Sequence, residues 1–208
     1  MASSLGVCIA AWATLAAAKP LASGTPTVEV TRGPDAVVVV YREVLGEIGG
    51  TDRGPTVTVY GDGRIVAHYP LYMKRAGDWE RRIAPSELDA LVRSLADKGV
   101  LEFDAQTVRA AARASLAASR ARAAATQQPI ALFEASDAST TVIEMAVERY
   151  VPATPGAREA RNVSKRAVWT ALRTDAAQHP DVPALAGLAA AEQELRALRD
   201  HPGFARLP

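Results

Sequence analysis

The side chains able to do chemistry at neutral pH are few and scattered. The 208-residue chain holds three histidines, His68, His179 and His201. None has a second histidine at helical ligand spacing, and no HExxH run occurs, so no zinc site is legible. His68, between Ala67 and Tyr69, could act as a general base; a half-exposed strand histidine is the competing reading. His179 precedes Pro180 at an expected helix end, where a cation complements the dipole. Cys8 is the single cysteine, in an apolar run at the amino terminus. Were that run removed, neither a disulfide nor a thiol nucleophile would remain. No serine stands in a G-x-S-x-G setting. Acidic residues are plentiful, but sequence cannot pair them in space, so a carboxylate-pair hydrolase stays open as an alternative without support.

Two glycine-rich stretches invite functional readings. Gly46-Glu47-Ile48-Gly49-Gly50-Thr51-Asp52-Arg53-Gly54 has the composition of a phosphate cradle. Phosphate loops lead from a strand into a helix and carry a lysine, whereas a strand pattern follows here, so a loop between strands is the expectation. Gly61-Asp62-Gly63 lacks the ladder of oxygens that a calcium loop needs, because Arg64 and Ile65 follow it. It reads as a hairpin turn whose Asp62 serves the backbone.

The connection Tyr72-Met73-Lys74-Arg75-Ala76-Gly77-Asp78-Trp79 is the best candidate for recognition. Tyr72, Lys74, Arg75 and Trp79 combine two aromatics with two cations, the residue types that dominate protein interfaces. The competing expectation is that Tyr72 and Trp79 fold back onto the core, since large aromatics are mostly buried. No metal and no cofactor is expected, and the chain reads as non-catalytic.

The elements that must position these residues follow from periodicity. Val37–Tyr41 is a continuous apolar run suited to a central strand. Thr56–Tyr60 and Arg64–Tyr69 alternate around the tight turn as a hairpin. Thr140–Val151 is a strong strand with Thr141, Ile143, Met145, Val147 and Val151 on one face. A short strand near Glu80–Ile83 and another over Val163–Trp169 are weaker readings. Val28–Val30 reads as part of a flexible lead-in over 25–34. Pro85–Lys98 is the clearest helix: Leu88, Leu91, Val92 and Leu95 repeat at i, i+3, i+4, i+7, and Gly99 stops it. Asp104 caps an Ala-rich helix running to about Gln127, and its arginines read as a solvated face. Leu172–Gln178 gives one or two helical turns. Val182–Asp200 is amphipathic, with Leu185, Leu188, Leu195 and Leu198 on one face and Asp181 as its cap. The fold class is therefore α+β: an antiparallel sheet of about four strands with helices packed on one face. One domain spans 35–208, with a long loop near 152–162.

Composition sets the remaining bounds. A net charge of +1 offers no basic field for nucleic acid. Leu5–Ala18 is apolar and uncharged, with small residues at Ala16–Ala18 and Ala22–Gly24. Its length suits a secretory signal more than a membrane span. Residues 1–24 are thus expected to be a signal peptide, and the mature chain to have no membrane span. A periplasmic or secreted location follows, with another envelope protein as the expected partner.

The run Thr-Val-Tyr-Gly-Asp-Gly-Arg-Ile-Val at 58–66, followed by Tyr72–Asp78 and Pro85-Ser86-Glu87-Leu88, resembles exported bacterial proteins in which a GDGR hairpin precedes an SxxEL helix. The resemblance covers roughly residues 37–103 and implies no activity. A fainter one, carried by Gly49-Gly50 after the first strand, is to the emfourin family of metallopeptidase inhibitors. It implies a secreted peptidase inhibitor as the alternative function and assigns no inhibitory residue here.

Overall fold

The structure, a computed structural model, describes residues 24–45, 54–127 and 138–208. The expected signal segment, Cys8 and most of the glycine-rich loop 45–55 lie outside these residues.

Eight strands and four helices are described: β1 (Thr27–Glu29), β2 (Val37–Val44), β3 (Thr56–Tyr60), β4 (Arg64–Tyr69), β5 (Gly77–Arg82), α1 (Pro85–Asp97), α2 (Ala105–Thr126), β6 (Thr140–Val151), β7 (Ala160–Thr170), α3 (Leu172–Gln178), α4 (Pro183–Arg199) and β8 (Ala205–Arg206). The fold is α+β. All strand pairs are antiparallel, in one sheet. Strand β6 pairs β7 on one edge, and β2 and β1 on the other; the order then runs β2-β3-β4-β5-β8.

The expectation of about four strands is corrected to eight. The additional strands are short or polar. β5 reads Gly-Asp-Trp-Glu-Arg-Arg, and β7 opens Ala-Arg-Asn-Val-Ser-Lys-Arg. Neither alternates apolar and polar cleanly, so periodicity understates them. β5 pairs β4 and, at Trp79 and Glu80, β8, and β7 pairs β6 along most of its length, so tertiary pairing overrides weak local preference. Thr27–Glu29 likewise pairs with Arg149–Val151 as a strand within the expected lead-in.

One face of the sheet carries the core. Val39 and Tyr41 of β2, Val57 and Val59 of β3, Ile65 and Ala67 of β4, and Ile143 and Met145 of β6 are buried in register. A register irregularity between Val37 and Val39 brings adjacent Val38 and Val39 both into the interior. Along β6, burial alternates through Val147 and then resumes at Tyr150; Asn162, at φ 50, stands between the flanking β6–β7 pairs. The opposite face presents Arg42, His68, Glu144 and Arg166, with Arg166 Nε 3.1 Å from Glu144 Oε1.

Helices α1 and α4 complete the core. α1 buries Leu88, Leu91, Val92 and Leu95, as its spacing predicts. Glu87 accepts from the Ala84 N–H at 2.7 Å, satisfying one of the orphan amides at the helix start. α4 buries Leu185, Leu188 and Leu195 completely, each contributing on the order of 2 kcal/mol of hydrophobic stabilisation. α2 is capped by Asp104, whose Oδ1 accepts from Thr107 N at 2.7 Å. Only Val108 and Ser115 of this helix are buried. No helix among the described residues is long and apolar enough to cross a membrane.

Candidate functional site

The inward stripe of α4 is not wholly apolar. Positions 185, 188, 195 are leucines, but Glu192 and Arg199 share their burial. On β2 the inward series Val39, Tyr41 continues to Glu43, which is also buried. These groups meet over the sheet. Arg196 Nε donates to Tyr41 Oη at 3.0 Å and to Glu192 Oε1 at 2.9 Å. Arg196 Nη2 donates to Glu43 Oε1. Arg199 Nη1 stands 3.6 Å from Glu43 Oε2, and Arg199 Nε donates to Asp200 Oδ1 at 2.8 Å. At the far end Arg173 of α3 approaches both Glu192 and Glu43 at 3.7 Å. A chain of alternating charge thus runs beneath α4 from Asp200 to Arg173. Buried charges persist only when paired in this way.

Burial pushes the Tyr41 hydroxyl up to about 12, and the negative charge of Glu43 adds to it. Tyr41 is therefore a neutral acceptor for Arg196 across the physiological range. Asp200 is held below the usual carboxylate range, chiefly by its hydrogen bonds from Arg199.

Two depressions flank Glu192. One, of about 380 Å³, is lined by Ser139, Thr141, Leu172, Arg173 and Thr174 together with Glu192. The other, of about 490 Å³, is lined by Arg173, Ala189, Gln193 and Arg196 together with Glu192. Sequence reasoning missed this cluster. A signal was present: Glu192 lies seven residues after Leu185 and four after Leu188, on the apolar stripe, and Glu43 lies two after Tyr41.

The four recognition candidates separate. Trp79 sits on β5 opposite Ala67, part-buried against the core, with its indole N–H on the Arg75 carbonyl at 2.9 Å. Arg75 stacks over the Trp79 ring at 4.6 Å and faces the Tyr69 ring at 5.1 Å. Tyr72 projects from the turn, 60% exposed, beside Leu71 at 87%. Lys74 is exposed on the same turn. A shallow depression of about 490 Å³ adjoins it, bordered by Tyr69, Met73, Lys74, Arg75, Arg199 and Asp200. Tyr69 Oη donates to the Arg199 carbonyl at 2.9 Å and fixes the end of α4 beside the turn.

His68 and His179 each meet a neighbouring polar side chain. His68 Nδ1 lies 2.6 Å from Asp78 Oδ1 across the β4–β5 pair. His179 is buried with Nδ1 3.2 Å from Ser115 Oγ, and Ser115 Oγ donates to Asp181 Oδ1 at 2.5 Å. These are the residue types of a hydrolase triad in the wrong order. The carboxylate engages the serine and not the imidazole, so within this trio no acid orients the histidine. The three groups tie α2 to the turn between α3 and α4. Asp181 is thereby diverted from capping α4; Val182 occupies the cap position, with no side-chain cap. Asp62 accepts from Arg64 N at 3.0 Å, the turn role its setting predicts. No group of metal-ligating side chains occurs among the described residues.

Compared with known protein families, with curated proteins and with solved structures, the chain matches none.

Proposed function

We propose that this is an exported, non-catalytic binding protein of the bacterial envelope, which holds a protein partner through the turn at Leu71–Arg75. One observation carries the reading: Leu71 and Tyr72 are exposed on a turn whose base is fixed. Met73 N–H bonds the Pro70 carbonyl at 2.9 Å, and Ala76 N–H bonds the Met73 carbonyl at 3.0 Å. The Trp79 indole and the stacked Arg75 guanidinium hold the other limb. A turn ordered in advance loses little conformational entropy on docking. Tyrosine beside cations then favours a partner with an apolar pocket rimmed by carboxylates. Export is supported by the apolar run Leu5–Ala18 followed by small residues.

The test is affinity capture from periplasmic extract, comparing wild type with a Leu71→Ser/Tyr72→Ala variant of equal thermal stability. A partner recovered by wild type and lost with the variant is the expected result. Equal recovery with both removes the turn from the proposal. Cell fractionation of the full chain tests export independently: protein retained unprocessed in the cytosol overturns it.

A further inference from the structure

Glu192 is 1% exposed, and its Oε2 has no hydrogen-bond partner among the described residues. Its Oε1 accepts from Arg196 at 2.9 Å. A buried carboxylate oxygen without a donor is costly, and Glu192 is a lining residue of both depressions described above. Arg173 lines both as well. Its guanidinium reaches Glu192 Oε1 and Glu43 Oε1 only at 3.7 Å, beyond hydrogen-bond length, and the side chain is 62% exposed. Without Arg173, Glu192 keeps Arg196 and Glu43 keeps Arg196 and Arg199, so the guanidinium can swing to solvent without stranding either carboxylate.

We infer that the cleft between α3 and α4 takes the cationic head of a small organic ligand, a primary ammonium or a guanidinium, which displaces Arg173 and donates to Glu192 Oε2. Charge decides the class. Glu43, Glu192 and Asp200 face Arg173, Arg196 and Arg199, so the cluster is balanced. Removing Arg173 leaves it one positive charge short. An incoming cation restores the balance, whereas an anion would face two buried carboxylates. The space suits a small molecule, and Ser139 and Thr174 at the rim can hydrogen-bond a polar tail. This site stands two turns of α4 from Arg199, where the depression beside the Leu71–Arg75 turn begins, and it does not depend on the partner proposed there.

The experiment is an NMR titration of the purified protein with methylguanidine and with butylamine, using acetate as the anionic control. The expected result is saturable shifts at residues 138–141, 171–174 and 189–196 with at least one cation and none with acetate; the tighter cation identifies the head group. Glu192→Gln is expected to weaken binding by about tenfold or more, the loss of a charge-assisted hydrogen bond. Arg173→Ala, at an exposed side chain, is expected to bind several-fold more tightly, because the internal competitor is gone. Absence of saturation with both cations overturns the inference, as does acetate binding at the same residues. Should Glu192→Gln fail to fold, Arg173→Ala decides alone: equal or weaker binding than wild type overturns it.

Discussion

Glu43 of β2 accepts a hydrogen bond from Arg196 of α4 across 153 residues of sequence. The contact joins the second strand to the last helix inside the core and is the middle link of the buried charge chain. Removing one partner strands the other in a medium that solvates it poorly. Arg196→Ala is expected to lower stability by about 3 kcal/mol, read from urea unfolding. A Glu43→Met/Arg196→Met double substitution should lose less than the sum of its single changes, since both charges leave together. Strict additivity would show that the two groups are not coupled.

Tyr41 makes stability fall at high pH. Its folded-state hydroxyl titrates at about 12 and its unfolded one near 10, so the unfolded state releases its proton first. The contribution is complete below pH 10 and is lost as pH rises toward 12, amounting to about 3 kcal/mol. Tyr69 and Tyr150 are also raised by burial, so their contributions too are lost as pH rises. Urea unfolding at pH 9 and pH 11.5 is expected to show a smaller loss for Tyr41→Phe than for wild type. An identical loss in both would assign the effect to other groups.

Tyr72 and Trp79 should differ in stability. Trp79 packs against the core and closes the turn through its indole N–H, so Trp79→Ala is expected to cost about 3 kcal/mol. Tyr72→Ala, at an exposed side chain, should stay within about 0.5 kcal/mol. Thermal unfolding separates them. A large loss from Tyr72→Ala would mean that the tyrosine supports the fold.

Glycine-to-alanine changes invert their usual sign on α4. In a helix interior the change normally stabilises by about 1 kcal/mol. At Gly187 the new Cβ would lie 2.4 Å from the Lys98 carbonyl oxygen, so the packing of α4 against the end of α1 must open. Gly187→Ala is expected to destabilise by about 1–3 kcal/mol. At Gly61 the Cβ would meet the Thr31 carbonyl oxygen at 2.1 Å, and a similar loss is expected. Calorimetry showing either variant at or above wild-type stability would contradict this close approach.

Local pattern determined a good part of this protein. The Val57–Ile65 hairpin, the apolar stripe of α1, the Asp104 cap of α2 and the α4 leucines all follow from period, turn chemistry and capping. These depend on residues within one or two turns of each other, which is the range over which a sequence is explicit. The polar strands β5 and β7 were weaker in the pattern because only a few of their side chains, Trp79, Ala167 and Trp169 among them, reach the core, and pairing with a neighbour's backbone holds the rest. Tertiary structure alone decided the candidate sites. It turned Trp79 inward while leaving Tyr72 outward, and it moved Asp181 from a helix cap to a contact with Ser115. It also brought Glu43, Glu192 and the arginines together. Each of those charges is unremarkable in its own segment. Their burial and pairing arise only when α4 is laid across β2, because electrostatics in a core depends on distance in space and on exclusion of water, and neither is written in local sequence.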